Sequence, residues 1–290
     1  VEESSIRNLE DRGASRRGVV LGAATLAAGA AAARAWSGQS GAFDPSAPAA
    51  QSLAFRKLAY STDGKTGFWW LHGRRYGLVD GDLTPFWDMH VGSWFRTHSL
   101  EGGDSAATTI SVSVYTDCAT GEVLEDFVNP YTGRRVRIAH FPPTPSRVVY
   151  GPSGRRATPG SAPPGLAAKT AIGPAWVQGD RVYVSEDVSL AGALVSDPAT
   201  RVRVNDLTTY VGLVRDVLDP AIAMAPAEQM FNDDNTWPAW LDMDGAPGSY
   251  FSRAWGRKVF RWDAMPPLWR AVVARLYPSL ARDPVGALAG

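Results

Sequence analysis

Apolar and polar residues alternate with a period of two along Thr108–Tyr115, where Ile110, Val112 and Val114 fall on one side and hydroxyl-bearing residues on the other. That pattern predicts a strand with one buried face. Phe68-Trp69-Trp70-Leu71-His72 is a short aromatic run bounded by Gly67 and Gly73 and reads as a second strand. Val123–Val128 and Arg135–His140 continue in extended fashion after turn chemistry at Asp117–Glu122 and at Asn129-Pro130-Tyr131-Thr132-Gly133. Together with Thr108–Tyr115 they predict an antiparallel meander. Ala175–Val184 reads as a hairpin turning at Gly179-Asp180.

The period changes towards the C-terminus. Leu207, Val211, Val214 and Leu218 recur at helical spacing before Pro220, so a helix is expected over 207–218. A second helix is expected over 266–277, with Pro266-Pro267 at its start and Leu268, Val272 and Leu276 on one side. Between them, Asn232-Asp233-Asp234-Asn235 reads as a solvated loop or helix cap. Residues 151–165, with four prolines and four glycines, read as a long exposed loop. The expected fold is mainly β (α+β): a curved antiparallel sheet or barrel with helical decoration near the C-terminus.

The first 35 residues have another character. Arg16-Arg17 precedes an uncharged run from Gly18 to Ala33, and Ala33-Arg34-Ala35 offers small residues at both positions read by a signal peptidase. This predicts a twin-arginine signal over 1–35, a linker over 36–54 and one β-rich domain over 55–290, with the mature chain beginning near Trp36. The export machinery is then a partner, and the compartment is periplasmic or secreted. The uncharged run falls short of the roughly 20 residues needed to span hydrocarbon, so no stable membrane span is expected after cleavage.

Charge narrows the function classes. Residues 1–35 take five of the 29 basic and four of the 29 acidic residues, leaving 24 and 25. A near-neutral mature chain argues against a nucleic-acid binder. The single Cys118 forms no intramolecular disulfide, so stability must come from the core. As a lone small thiol it is expected to be packed.

Tyr115-Thr116-Asp117, Thr120-Gly121-Glu122-Val123-Leu124 and Asn129-Pro130-Tyr131-Thr132-Gly133, followed by a strand reaching His140, resemble the central signature of the bacterial group called domain of unknown function 1838. Trp237-Pro238-Ala239-Trp240-Leu241-Asp242-Met243, Pro247-Gly248, Gly256-Arg257-Lys258 and Tyr277-Pro278 are similar to its C-terminal part. The resemblance spans Phe55 to Pro278 and implies twin-arginine export. It implies no activity.

The chain holds 11 Trp, 9 Tyr and 10 Phe, and large rings with a polar handle are enriched at pocket walls. Trp69, Trp70, Trp87, Trp94, Trp237 and Trp240 are the expected walls of an aromatic-lined pocket for a small, mostly apolar molecule. An alternative is an isomerase or lyase-type enzyme, cofactor-independent or metal-assisted, on the same scaffold. There Asp88 and His90, two apart in a strand, share a side and form an acid–base pair. A third reading is a protein-interaction module. No motif names a cofactor or a metal; His72, His90, His98 and His140 are the weak candidate ligands.

Overall fold

The computed structural model describes residues 43–290 other than 140–142, 144, 152–153, 157–164, 194, 196–200, 244 and 290. The signal at 1–35, the start of the linker, most of the 151–165 loop and His140 lie outside the described residues. Thirteen strands are described: β1 Gly67–Val79, β2 Asp82–Ser99, β3 Ser105–Thr116, β4 Asp126–Val128, β5 Arg135–Arg137, β6 Ser146–Gly151 and β7 Gly154–Arg156 in the first half. β8 Leu166–Ile172, β9 Trp176–Gln178, β10 Arg181–Ala193, β11 Arg201–Leu213, β12 Ala227–Asn235 and β13 Ser249–Val259 follow. Eleven of them form one antiparallel sheet in the order β7-β6-β3-β2-β1-β13-β12-β11-β10-β8, with β9 also on β10. The sheet curls strongly into a half-barrel, as the alternating pattern predicts.

Local chemistry explains the longest hairpin. Asp80 and Gly81 both adopt positive φ (52° and 89°) between β1 and β2, the geometry of a tight two-residue hairpin turn. Along the same pair, Arg75 faces Trp87 and Tyr76 faces Pro85, so Phe86 is an extra residue that bulges the strand. The bulge buries Phe86 and Trp87, neighbours in sequence, in one core.

The sheet has an apolar core on each side. The inner core gathers Trp69, Leu71, Trp87, Met89, Phe95, Tyr115 and Tyr210 around α1, Pro48–Ala59. Phe55 of α1 packs its ring against Tyr150 and Tyr210, and the Trp69 indole donates to the carbonyl of Ala59. Lys258, only 5% exposed, donates to the carbonyls of Lys57 and Tyr60 and so ties down the C-terminal end of α1. The outer core is covered by α3, Pro267–Leu276, whose Trp269 and Val273 meet Trp94, Ile110 and Val112. Gly92 on β2 makes room for this: a Cβ there would lie 2.2 Å from the Trp269 indole.

Several expectations are corrected. Residues 207–213 are strand, and only α2, Val214–Leu218, is helical. Residues 48–54, expected as linker, belong to α1, where Pro48 occupies the first turn and Phe55 and Leu58 are buried. The meander separates: β4 and β5 form their own two-stranded hairpin, joined to β3 by the single bridge Thr116–Val123. Asn232–Asn235 is the end of β12, not a loop. The hairpin at Gly179-Asp180 and the helix within 266–277 match their expectations.

Candidate functional site

Register builds one polar row across the inner face. Arg75 of β1 faces Ser252 of β13, Ser252 faces Asp233 of β12, and Asp233 faces Asp206 of β11. Side chains so opposed project to one side of a sheet with Cβ atoms about 5 Å apart. The rows further along carry Met89, Gly73, Ala254, Phe231 and Thr208, then Val91, Leu71, Gly256, Gln229 and Tyr210. Around these rows lies a cavity of about 540 Å³ bordered by Leu71, Met89, Val91, Phe231, Tyr115 and Trp237, with Arg75, Asp206 and Asp233 in its wall. α1 packs against the inner face near Trp69 and Tyr210. Trp237 and Trp240 pack at the other end of the strands, against Phe86 and Trp87.

The polar row is held by definite bonds. Arg75 Nη1 pairs with Asp233 Oδ2 at 2.6 Å, and the Ser252 hydroxyl donates to Asp233 Oδ1. The Arg75 guanidinium also sits 4.1 Å over the Tyr250 ring, a cation–π contact in a desolvated place. Burial works against the Arg75 charge, but Tyr250, Asp233 and Tyr115 more than offset it and its pKa is raised. Burial likewise pushes the Tyr250 phenol well up, beside the Tyr115 hydroxyl. The Arg75 Nε–H has no hydrogen-bond partner among the described residues.

Asp206 differs from Asp233. No described side chain binds it, and it borders the cavity. Burial first, then the negative charges of Asp233 and Glu186, push its pKa up to about 7, with Arg75 pulling the other way. A carboxyl poised there gives and takes protons near neutrality.

The expected pair lies on the other side of the sheet. Asp88 and His90 do share a face, the outer one, but Asp88 binds Arg74 in bidentate fashion at 2.6 and 3.2 Å. His90 Nε2 lies 3.2 Å from the Thr116 hydroxyl and its ring meets His72 at 4.6 Å. Burial and His72 hold the His90 pKa down at about 4, against Asp88. His98 is exposed at the end of β2. Among the described residues, no group of three or more His, Cys, Asp or Glu is placed to hold a metal ion. Cys118 is half-buried near Asp88, and burial raises its thiol pKa.

The six tryptophans are divided. Trp69 and Trp87 lie in the inner core, while Trp70 and Trp94 face the outer one, because neighbours in a strand point to opposite sides. Trp240 packs on Trp87 at 5.8 Å, and Trp237 alone of the six borders the cavity. A second depression, about 790 Å³, runs over the open outer face past His72, Arg74, Asp88 and the 61%-exposed Trp255.

Arg75 and Asp206 were not singled out from sequence, and Asp233 entered only within Asn232–Asn235, read as a solvated loop or helix cap. The available signal was their polarity inside strand-like stretches such as Val202–Tyr210, where a buried face needs apolar residues. Compared with protein-family models, curated proteins and solved structures, the chain matches none.

Proposed function

We propose that the curled sheet is a binding chamber for one small, mostly apolar molecule with a polar end. The supporting observation is the inner cavity of about 540 Å³, whose apolar walls of Leu71, Met89, Val91 and Phe231 adjoin Arg75 and Asp206. Small-molecule sites combine this size with apolar lining and a few convergent polar groups. The outer depression serves less well: it is spread over a sheet face, and its Arg74–Asp88 pair is already satisfied. Export through the twin-arginine route, on the strength of Arg16-Arg17 and Ala33-Arg34-Ala35, places this activity in the periplasm or outside the cell. Membership of the domain of unknown function 1838 group is part of the same reading and rests on the motifs around Tyr115 and Trp237.

The test is a fluorescence titration with N-phenyl-1-naphthylamine, a neutral apolar probe. Saturable one-to-one binding is expected, lost in Ser113→Trp, which fills the cavity from β3. Binding unchanged in that variant, provided it is folded by circular dichroism, contradicts the reading.

A further inference from the structure

The cavity holds more polar machinery than binding an apolar molecule requires. Arg75 is more than nine-tenths buried, is anchored through Nη1, and leaves Nε–H unpartnered among the described residues. At the other end of the row, opposite Asp233, Asp206 has no described hydrogen-bond partner and borders the same space. Asp233 between them is committed at both oxygens, to Arg75 and to Ser252. One carboxyl is therefore fixed by the cationic Arg75, and the one next to it in the row is free to act.

We propose that Asp206 is the acid–base group of a proton-shift reaction on a mostly apolar ketone bound in this cavity, isomerising a β,γ-unsaturated ketone to its conjugated form. The Asp206 carboxylate removes a proton from the carbon between the carbonyl and the alkene. The C–H pair becomes a new C=C bond and the carbonyl π pair moves onto oxygen, giving a dienolate. Arg75, Tyr115 and Tyr250 border the same space, and the Arg75 cation offsets the charge that develops on that oxygen. The oxygen's pair then re-forms the carbonyl, the newly formed C=C pair shifts to the α,β position, and the original alkene pair takes the proton from Asp206 at the γ-carbon. Nothing is oxidised or reduced, and no co-reactant is consumed.

Competing chemistry lacks its parts here. Ser93, Ser111 and Ser113 border the cavity, but His72 and His90 lie on the outer face, so no described imidazole activates a serine. The Cys118 thiol is likewise outside, near Asp88. An Asp whose pKa lies near neutrality suits a step in which one group both takes and returns a proton. Among the described residues, the charged groups acting on it are Asp233, Arg75 and Glu186, and Arg201, Tyr115 and Tyr250 border the same cavity.

This inference rests on the cavity's being the binding site, and the experiment separates the two. The full chain is given 3-cyclohexen-1-one and a bicyclic β,γ-octalone, and formation of the conjugated enone is followed by absorbance, with hydrogen exchange in D2O followed by NMR. Wild type is expected to accelerate isomerisation, with a rate that rises with pH through about 7. Asp206→Asn is expected to lower kcat about 100-fold or more with KM within about threefold. His90→Ala is expected to leave both constants unchanged. Full turnover in Asp206→Asn overturns the proposal. So does a wild type that binds these ketones, shown by displacement of N-phenyl-1-naphthylamine, yet neither isomerises nor exchanges them. Failure to bind probe or ketones at all overturns the binding reading itself.

Discussion

Arg75 and Asp233 form an ion pair of 2.6 Å across 158 positions of sequence, with side chains only 9% and 4% exposed. The pair joins β1 to β12 over the intervening β13, where Ser252 completes the carboxylate's partners. Removing one member of a buried pair leaves the other desolvated and uncompensated. Asp233→Ala is therefore expected to cost about 3–5 kcal/mol in urea denaturation. The double replacement Arg75→Met with Asp233→Leu is expected to cost less than Asp233→Ala alone, because no charge is stranded. A double variant as unstable as the single one would show that shape, not charge, dominates.

Asp206 ties stability to pH. Its folded pKa of about 7 lies above the ordinary carboxylate value of 3.8, so between those values the folded chain holds a proton that the unfolded chain has released. That contribution is present below about pH 4 and is lost as pH rises through about 7. Asp206→Asn carries no such charge, so it should gain on wild type across that window by on the order of 2 kcal/mol, allowing for the open side of the cavity. Thermal melts at intervals from pH 4 to 8 measure the difference. A constant gap between the two proteins would exclude a protonated Asp206.

His90 works in the opposite sense. Its folded pKa of about 4 lies below the ordinary 6.5, so the unfolded chain takes up the proton first as pH falls. Stability present above about pH 6.5 is lost on acidification towards pH 4, and His90→Gln should flatten that loss. Imidazole resonances titrated by NMR should show one ring, assigned to His90, still neutral at pH 5. A His90 that titrates near 6.5 would contradict the packing of its ring against His72.

Asn129 is fully buried where β4 turns towards β5. Its side-chain amide donates to the carbonyl of Leu241 while its oxygen accepts from the Tyr131 N–H. It therefore holds the Trp237–Met243 segment beside the cavity from a turn more than 100 positions away. Asn129→Ala should cost about 1–3 kcal/mol and loosen that segment, raising hydrogen exchange at Leu241 and neighbouring amides. Exchange unchanged at those amides would show that Trp237 and Trp240 secure the segment by packing alone.

The parts legible in the sequence are those set by local pattern. Ile110, Val112 and Val114 alternate, and β3 follows; Val272 lies where helical spacing puts it, and α3 follows. The stretch from Leu207 to Val211 misled because a spacing of four places residues on one side in a strand as well as in a helix. The β-branched Val202, Val204, Thr208 and Thr209 were the better guide. The polar row was not legible because it exists only through register across four strands. Nothing near Asp233 announces that Arg75 lies beside it. Burial also inverted the reading of Asn232–Asn235: four polar residues suggest a loop, yet Asp233 points into the inner face and is 4% exposed.

A ligand on the inner face of the curl and one on the outer face meet different methionines. Met89 borders the inner cavity, and Met230 borders the outer depression. With methionine methyl groups labelled by ¹³C, intermolecular NOEs from bound N-phenyl-1-naphthylamine should reach the Met89 methyl and miss that of Met230. NOEs to Met230 without Met89 would place the ligand on the outer face and contradict binding in the inner cavity.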